Sequence, residues 1–136
     1  MSEVFVDSGG FFAYLVLEDA AHERAVKAFD RVQTEGSSLV ATNAVLFETH
    51  ALILSRARDG RDLALRFLDS VLMGLCRVER VTRLDEQHAL DLIRKQQDKA
   101  FSYCDALSFV VIERLGIEQA IAFDRHFRQY GRLTLL

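Results

Sequence analysis

The chain has 136 residues, half of them hydrophobic and 27% charged, with a net charge of −3. That length suffices for one domain, residues 1–136, with a real core. The composition excludes the strongly basic footprint of a nucleic-acid coat protein, and no apolar stretch is long enough to span a membrane. The acidity is uneven: residues 1–54 carry eight acidic and three basic side chains. Proline is absent, so the seven glycines and the polar pairs must punctuate the chain. Cys76 and Cys104 lie inside apolar runs without metal-ligand spacing, and read as reduced core thiols. Asp7 interrupts the first apolar run, so no signal pattern appears and a cytoplasmic protein is expected.

Val4 to Val6 is a buried strand, stopped by Asp7-Ser8-Gly9-Gly10, a tight turn into a helix over Phe11 to Leu17. Asp19 caps a second helix, with Ala25, Val26, Phe29 and Val32 at helical period, until Gly36 stops it. Leu39 to Ala41 is the second strand. Thr42 or Asn43 caps a helix to about Arg58, and Asp59-Gly60 ends it. The next helix covers Arg61 to Met73, with Leu65, Leu68 and Leu72 on one side. Leu75 to Val81 alternates apolar and basic residues, as a strand near an edge does. Thr82 or Asp85 starts a polar helix through Gln97. Ser102 to Leu115 is the most apolar helix, closed by Gly116. Gln119 to Phe123 is the fourth strand, and Arg132 to Leu136 offers a fifth. Strands alternating with helices or helix pairs predict an α/β fold whose short sheet, of four or five strands, is mostly parallel.

Four acids fall at junctions of this pattern. Asp7 and Asp124 end strands. Glu48 shares a helical stripe with Ala44, Val45, Ala51 and Leu52 and should point inward. Asp105 lies in the first turn of the apolar helix. In an open parallel sheet, ligands bind beyond the carboxyl ends of the strands. Carboxylates gathered there repel one another unless a cation joins them, which points to a hard divalent ion and phosphoryl chemistry. Each acid also has a plain account: an N-cap for Asp7, a snorkelling or salt-bridged side chain for Glu48, a capping box with Ser102 for Asp105, an ion pair with Arg125 for Asp124. On the functional account, Arg125 is available for a phosphate. Relief of repulsion would make Asp105→Asn or Glu48→Gln stabilising in the metal-free protein. His22, His50, His88 and His126 are scattered, with no zinc-site spacing.

The segments VFVDSGGFFAYL, TNAVLFETHALI and FSYCDALSFVVIERLGIEQAIAFDRHF resemble the signature blocks of PIN-domain ribonucleases, in particular the compact VapC-type toxins. The resemblance runs from Phe5 to Tyr130. It implies a PIN-like sheet sandwiched by helices, dependence on Mg²⁺ or Mn²⁺, and cleavage of RNA. Its metal-binding acids correspond to Asp7, Glu48, Asp105 and Asp124, with Ser8 and Ser102 as the accompanying hydroxyls. It also implies a small antitoxin as partner. A homodimer that also binds this antitoxin is expected; Phe11, Phe12, Tyr14 and Leu15 either form a groove for a partner helix or fill the protein's own core. The alternative is a non-catalytic RNA-binding or scaffold domain, which has no need of four converging acids. A receiver-type switch needs adjacent acids after the first strand and a Lys ending the fifth. Ser8 and the Lys-free C-terminus argue against it. A haloacid-dehalogenase-like phosphatase needs an Asp where Gly9 stands.

Overall fold

The computed structural model describes residues 2–136. The strands are β1 (Glu3–Val6), β2 (Ser38–Thr42), β3 (Arg77–Glu79), β4 (Gln119–Ile121) and β5 (Thr134–Leu135). The helices are α1 (Ser8–Leu15), α2 (His22–Thr34), α3 (Asn43–Arg56), α4 (Gly60–Leu72), α5 (Arg83–Lys95), α6 (Tyr103–Leu115) and α7 (Arg125–Tyr130). All five strands are parallel, in the order β3-β2-β1-β4-β5. Phe5 of β1 stands opposite Val40 of β2 on one side and Ala120 of β4 on the other. Consecutive strand residues face opposite sides of a sheet. Val4, Phe5 and Val6 are all buried, as are Val40-Ala41 and Ala120-Ile121, so helices cover both faces.

This order has a functional consequence. From β1 the chain runs to β2 and β3 on one side, then crosses to β4 and β5 on the other. The strand order therefore reverses between β1 and β4, and a crevice opens beyond their carboxyl ends. The Asp7 N–H donates to the Ile121 carbonyl at 3.1 Å and ties the two strand ends together.

The helix boundaries follow local chemistry. The Thr42 hydroxyl accepts the Val45 N–H at 3.1 Å and starts α3. Capping boxes open both α5 (Thr82 with Asp85) and α6 (Ser102 with Asp105). Gly116 ends α6 at φ 68°, where other residues are strained.

Several details differ from the sequence reading, beginning with α2, whose N-cap position is Ala21 and not Asp19; the Asp19 carboxylate instead accepts the Ala21 N–H at 3.0 Å. Gly9 and Gly10 belong to the first turn of α1 rather than to a turn before it. A Cβ at Gly10 would stand 2.6 Å from the Ile121 carbonyl oxygen, so this glycine serves close approach of α1 to β4; Gly9 faces open space. In α4 the buried residues are Ala64 and Phe67, while Leu65 and Leu72 are exposed. Phe67 packs on the Phe11 ring, centroids 5.2 Å apart, and that aromatic contact sets the rotation of the helix. β4 ends at Ile121, and the chain turns into α7, a helix the apolar pattern did not reveal. Phe127 of α7 is buried against Phe109, centroids 4.9 Å apart, and holds α7 to α6.

At the β3 edge a chain of charges links four elements. Arg77 bridges Glu3 and Glu79, and Arg114 bridges Glu79 and Asp85. Asp85 is buried; Arg114 donates to both of its oxygens, at 2.9 and 2.8 Å. Burial pushes the Asp85 carboxyl up, but the bonds from Arg114 and Thr82 outweigh it and hold the group below its ordinary range.

Candidate active site

Asp7 occupies the N-cap position of α1, yet its side chain makes no capping bond. Its residue is 3% exposed, and Oδ1 is buried without a hydrogen-bond partner. The N-cap account therefore covers the position of this residue and leaves its carboxylate unexplained. Burial raises the carboxyl to about 7. The charges of Asp105, Glu48 and Asp124 push in the same direction, against a backbone bond from Ser8. The acids that repel Asp7 are the other three members of the quartet, so the fold does bring the four together.

Glu48 reaches the cluster from α3, though not on the expected stripe. The buried residues of α3 are Val45, Leu46, Thr49 and Ile53, while Ala51 is exposed. Glu48 lies on the flank of that face, half-buried, and its Oε1 accepts the Ser8 hydroxyl. No salt bridge engages it among the described residues, so of its two plain accounts the salt bridge is not made, while its half-exposed place on the flank is compatible with snorkelling.

Asp105 does form its capping box. Its Oδ2 accepts the Ser102 N–H at 3.2 Å, and the Ser102 hydroxyl accepts the Asp105 N–H at 3.0 Å. The same Oδ2 lies 2.8 Å from Nδ1 of His126. Asp124 caps α7: its Oδ1 accepts the His126 N–H at 2.6 Å. Asp105, Asp124 and His126 offer ligand atoms within 4.8 Å of one another. Arg125 is exposed and forms no ion pair among the described residues, so the expected Asp124–Arg125 pair is not made.

Two residues of the site escaped the sequence reading. His126 is not at zinc-site spacing with any other histidine; only its place two residues after Asp124 could have marked it. Cys104 reads as a core residue from sequence but is half-buried and stands among the acids. Burial, then the charges of Glu48, Asp7 and Asp105, push its thiol far above the ordinary range. Cys104 thus stands beside the acids with its thiolate form disfavoured. Cys76 is buried, as expected. The α1 aromatics divide: Phe11 is fully buried, while Phe12, Tyr14 and Leu15 are half-buried against the core. Phe11 cannot line a partner groove.

The donor set fits a hard divalent cation. It offers carboxylate oxygens from three helix starts and from α3, and one of them is a buried atom with no partner in the protein. Mg²⁺ and Mn²⁺ take such oxygen ligands. A cavity of about 640 Å³ elsewhere, lined by Leu92, Phe101, Phe109 and Tyr130, contains none of the four acids.

A parallel sheet in this order, with carboxylates at the β1/β4 crevice, is an open α/β architecture with an acidic site at its switch point. The chain belongs to the PIN domain family, whose profile matches residues 4–133. Within that family its relatives are VapC-type endoribonuclease toxins. It is 30% identical over 128 residues to the 23S rRNA-specific endonuclease VapC20 of Mycobacterium tuberculosis, covering 94% of both chains. It is 28% identical over 124 residues to a VapC ribonuclease of Archaeoglobus fulgidus, covering 90% of this chain and 77% of that one. The crystal structure of VapC20, a Sarcin-Ricin loop cleaving toxin, superposes with a TM-score of 0.83 over 96% of both chains, at 30% identity. A chain of VapBC2 from Rickettsia felis, bound to promoter DNA, shares the fold at 10% identity, with a TM-score of 0.71 over 98% of this chain and 97% of that one. The expected PIN-like α/β fold and the family assignment both hold.

Proposed function

We propose that this chain, as one nuclease domain over residues 1–136, hydrolyses RNA phosphodiester bonds with Mg²⁺ or Mn²⁺ and acts as the toxin of a toxin–antitoxin pair. The observation that carries the proposal is the Asp7 carboxylate. It is buried, makes no capping bond, has an oxygen without a partner, and faces three more acids at the sheet's crevice. Such a group is costly unless a cation completes it.

In this reading Asp7 and Asp105 contact the ion directly, and Glu48 and Asp124 are further ligands or orient its water. These acids would hold a divalent ion, which when bound would supply a more acidic attacking water and offset charge on the phosphate. The chain's own residues supply position. Ser8 holds the Glu48 carboxylate through its hydroxyl. Ser102 holds Asp105 through its amide. Arg125, exposed and unpaired beside Asp124, takes a neighbouring phosphate of the RNA. Hydrolysis by water leaves a 3′-hydroxyl and a 5′-phosphate.

The relationship to VapC20 supports the toxin role and a cytoplasmic setting with an antitoxin partner. It also makes 23S rRNA one RNA to test. The antitoxin and a homodimer belong to the same proposal. No helix of the described residues is long and apolar enough to cross a membrane.

The test is cleavage of RNA, ribosomal RNA included, by the purified chain with millimolar Mg²⁺ or Mn²⁺. Asp7→Asn keeps the shape of the side chain and should lower the rate at least 100-fold. Excess EDTA should abolish cleavage. Full activity in EDTA, or in Asp7→Asn, refutes the proposal. RNA binding without cleavage under every condition would favour the scaffold reading.

A further inference from the structure

One residue outside the expected quartet holds two of its members at once. The His126 side chain meets Asp105 Oδ2 through Nδ1 at 2.8 Å, and its backbone N–H meets Asp124 Oδ1 at 2.6 Å. The same Nδ1 also lies 3.4 Å from Asp124 Oδ1. An ionised carboxylate can only accept, so Nδ1 carries the proton and donates. Nε2 is buried and has no partner, so Nδ1 is the ring's anchor to the protein. The ring is held edge-on against Phe101, centroids 5.7 Å apart and planes at 83°, which limits its freedom to turn away.

These bonds are selective by oxygen. Both donors to Asp105, from Ser102 and His126, fall on Oδ2. The donor to Asp124 falls on Oδ1. The opposite oxygen of each carboxylate takes no protein hydrogen bond among the described residues, and is free for a cation. A carboxylate gripped at one oxygen is oriented before the ion arrives. Partners of this kind behind metal ligands typically contribute 10- to 100-fold in affinity.

We propose that His126 is a positioning residue of the metal centre. Through Nδ1–H and its own amide it fixes Asp105 and Asp124 so that one oxygen of each points to the ion. The inference rests on the metal-site reading given above. It makes the histidine a second-rank partner of the ion, not a ligand.

The experiment measures Mn²⁺ affinity directly, by the electron-paramagnetic-resonance signal of free Mn²⁺ during titration, with no substrate present. Three variants are compared with the wild type after melting in EDTA establishes that they fold. His126→Phe fills the ring's volume without a donor. His126→Asn places an amide N–H where Nδ1 stands. His126→Gln places its amide nearer Nε2, and serves as the variant without a donor at the Nδ1 position if Phe does not fold. Phe and Gln should weaken Mn²⁺ binding about 10-fold or more, and Asn should stay within about threefold of wild type. A Phe or Gln variant that binds Mn²⁺ as tightly as wild type, or tighter, overturns the inference while leaving the metal site intact. So does an Asn variant as weak as the Phe one. A wild-type chain that binds no Mn²⁺ overturns the metal reading itself and this inference with it.

Discussion

Asp7→Asn in the metal-free protein offers a clean measurement of the stress stored in the site. Burial and three neighbouring carboxylates hold the folded-state carboxyl at about 7, against an ordinary 3.8. An acid raised in the folded state binds more protons folded than unfolded between those two values, so stability falls as pH rises from about 4 to about 7. Two of those roughly three units lie between pH 5 and pH 7. At about 1.36 kcal/mol per unit, the wild type should lose about 2.5 kcal/mol between pH 5 and pH 8 through this one group. Asn does not titrate. Whatever its buried amide costs is the same at both pH values, so the difference between the two melting curves isolates the carboxylate. For a chain of this length about 1 kcal/mol corresponds to about 3.5 °C, so the Tm gap should move by about 9 °C in favour of Asn on going from pH 5 to pH 8. The assay is thermal unfolding in EDTA, followed by circular dichroism, at both pH values. A gap that stays constant within about 2 °C refutes the reasoning, because it would mean that Asp7 is solvated or paired in the folded chain. Mn²⁺ at pH 8 should restore the wild type and leave Asn unmoved, since a cation that binds only the folded state stabilises it by mass action.

Gly10→Ala should disturb the site through the backbone. Its Cβ would stand 2.6 Å from the Ile121 carbonyl oxygen and force α1 away from β4. We expect about 2 kcal/mol of destabilisation, read in urea unfolding, together with loss of cleavage. Gly9→Ala, which meets nothing within 4 Å, is the control; equal effects of the two would contradict the close-approach argument. Arg114→Ala strands the buried Asp85, which keeps its bond from the Thr82 amide. The cost at pH 7 should be about 3 kcal/mol, at the low end for a broken buried pair, because the Arg114 side chain is itself 36% exposed. Asp85 is held below its ordinary range, so the stabilisation is present above the unfolded value of 3.8 and is lost as pH falls through the lower folded value. Urea midpoints of variant and wild type should therefore converge below pH 4, and a gap unchanged there would show that the pair is not its source.

The sheet was legible in the sequence because its strands fall in short apolar or alternating runs bounded by polar residues. Three of the four acids could be picked out because Asp7 and Asp124 stand at or just beyond such stops and Asp105 opens the most apolar helix. What stayed hidden was decided by contacts between segments distant in sequence. The face of α4 is set by Phe67 on Phe11, which leucine spacing cannot reveal. Glu48 sits on the flank of α3 because the buried face runs through Thr49, a residue that hydropathy treats as neutral. Its hydroxyl is satisfied by the Val45 carbonyl at 2.7 Å and costs little to bury. His126 enters the site because β4 stops at Ile121 and the chain folds back as α7, bringing the ring to Asp105, 21 residues earlier. The Asp-Arg-His sequence did contain a local cue, since an Asp can accept the N–H two residues on. Read that way, it places a helix start where an extended strand was expected.

The plain and the functional accounts of these acids are not rivals at every position, and that changes which variants are informative. Asp105 is both a capping-box acid and a member of the cluster, because its hydrogen bonds use Oδ2 and leave the other oxygen open. Asp124 likewise caps α7 with Oδ1 alone. Neutralising Asp105 relieves repulsion but also weakens a cap and a histidine contact, so the stabilisation expected from sequence for Asp105→Asn is offset by local losses of similar size. Glu48→Gln keeps an oxygen for the Ser8 hydroxyl and so keeps more of its expected gain. Asp7 alone combines deep burial with a carboxylate that caps nothing. Its cost to the metal-free fold and its value to the site have one origin: an oxygen that no group among the described residues completes.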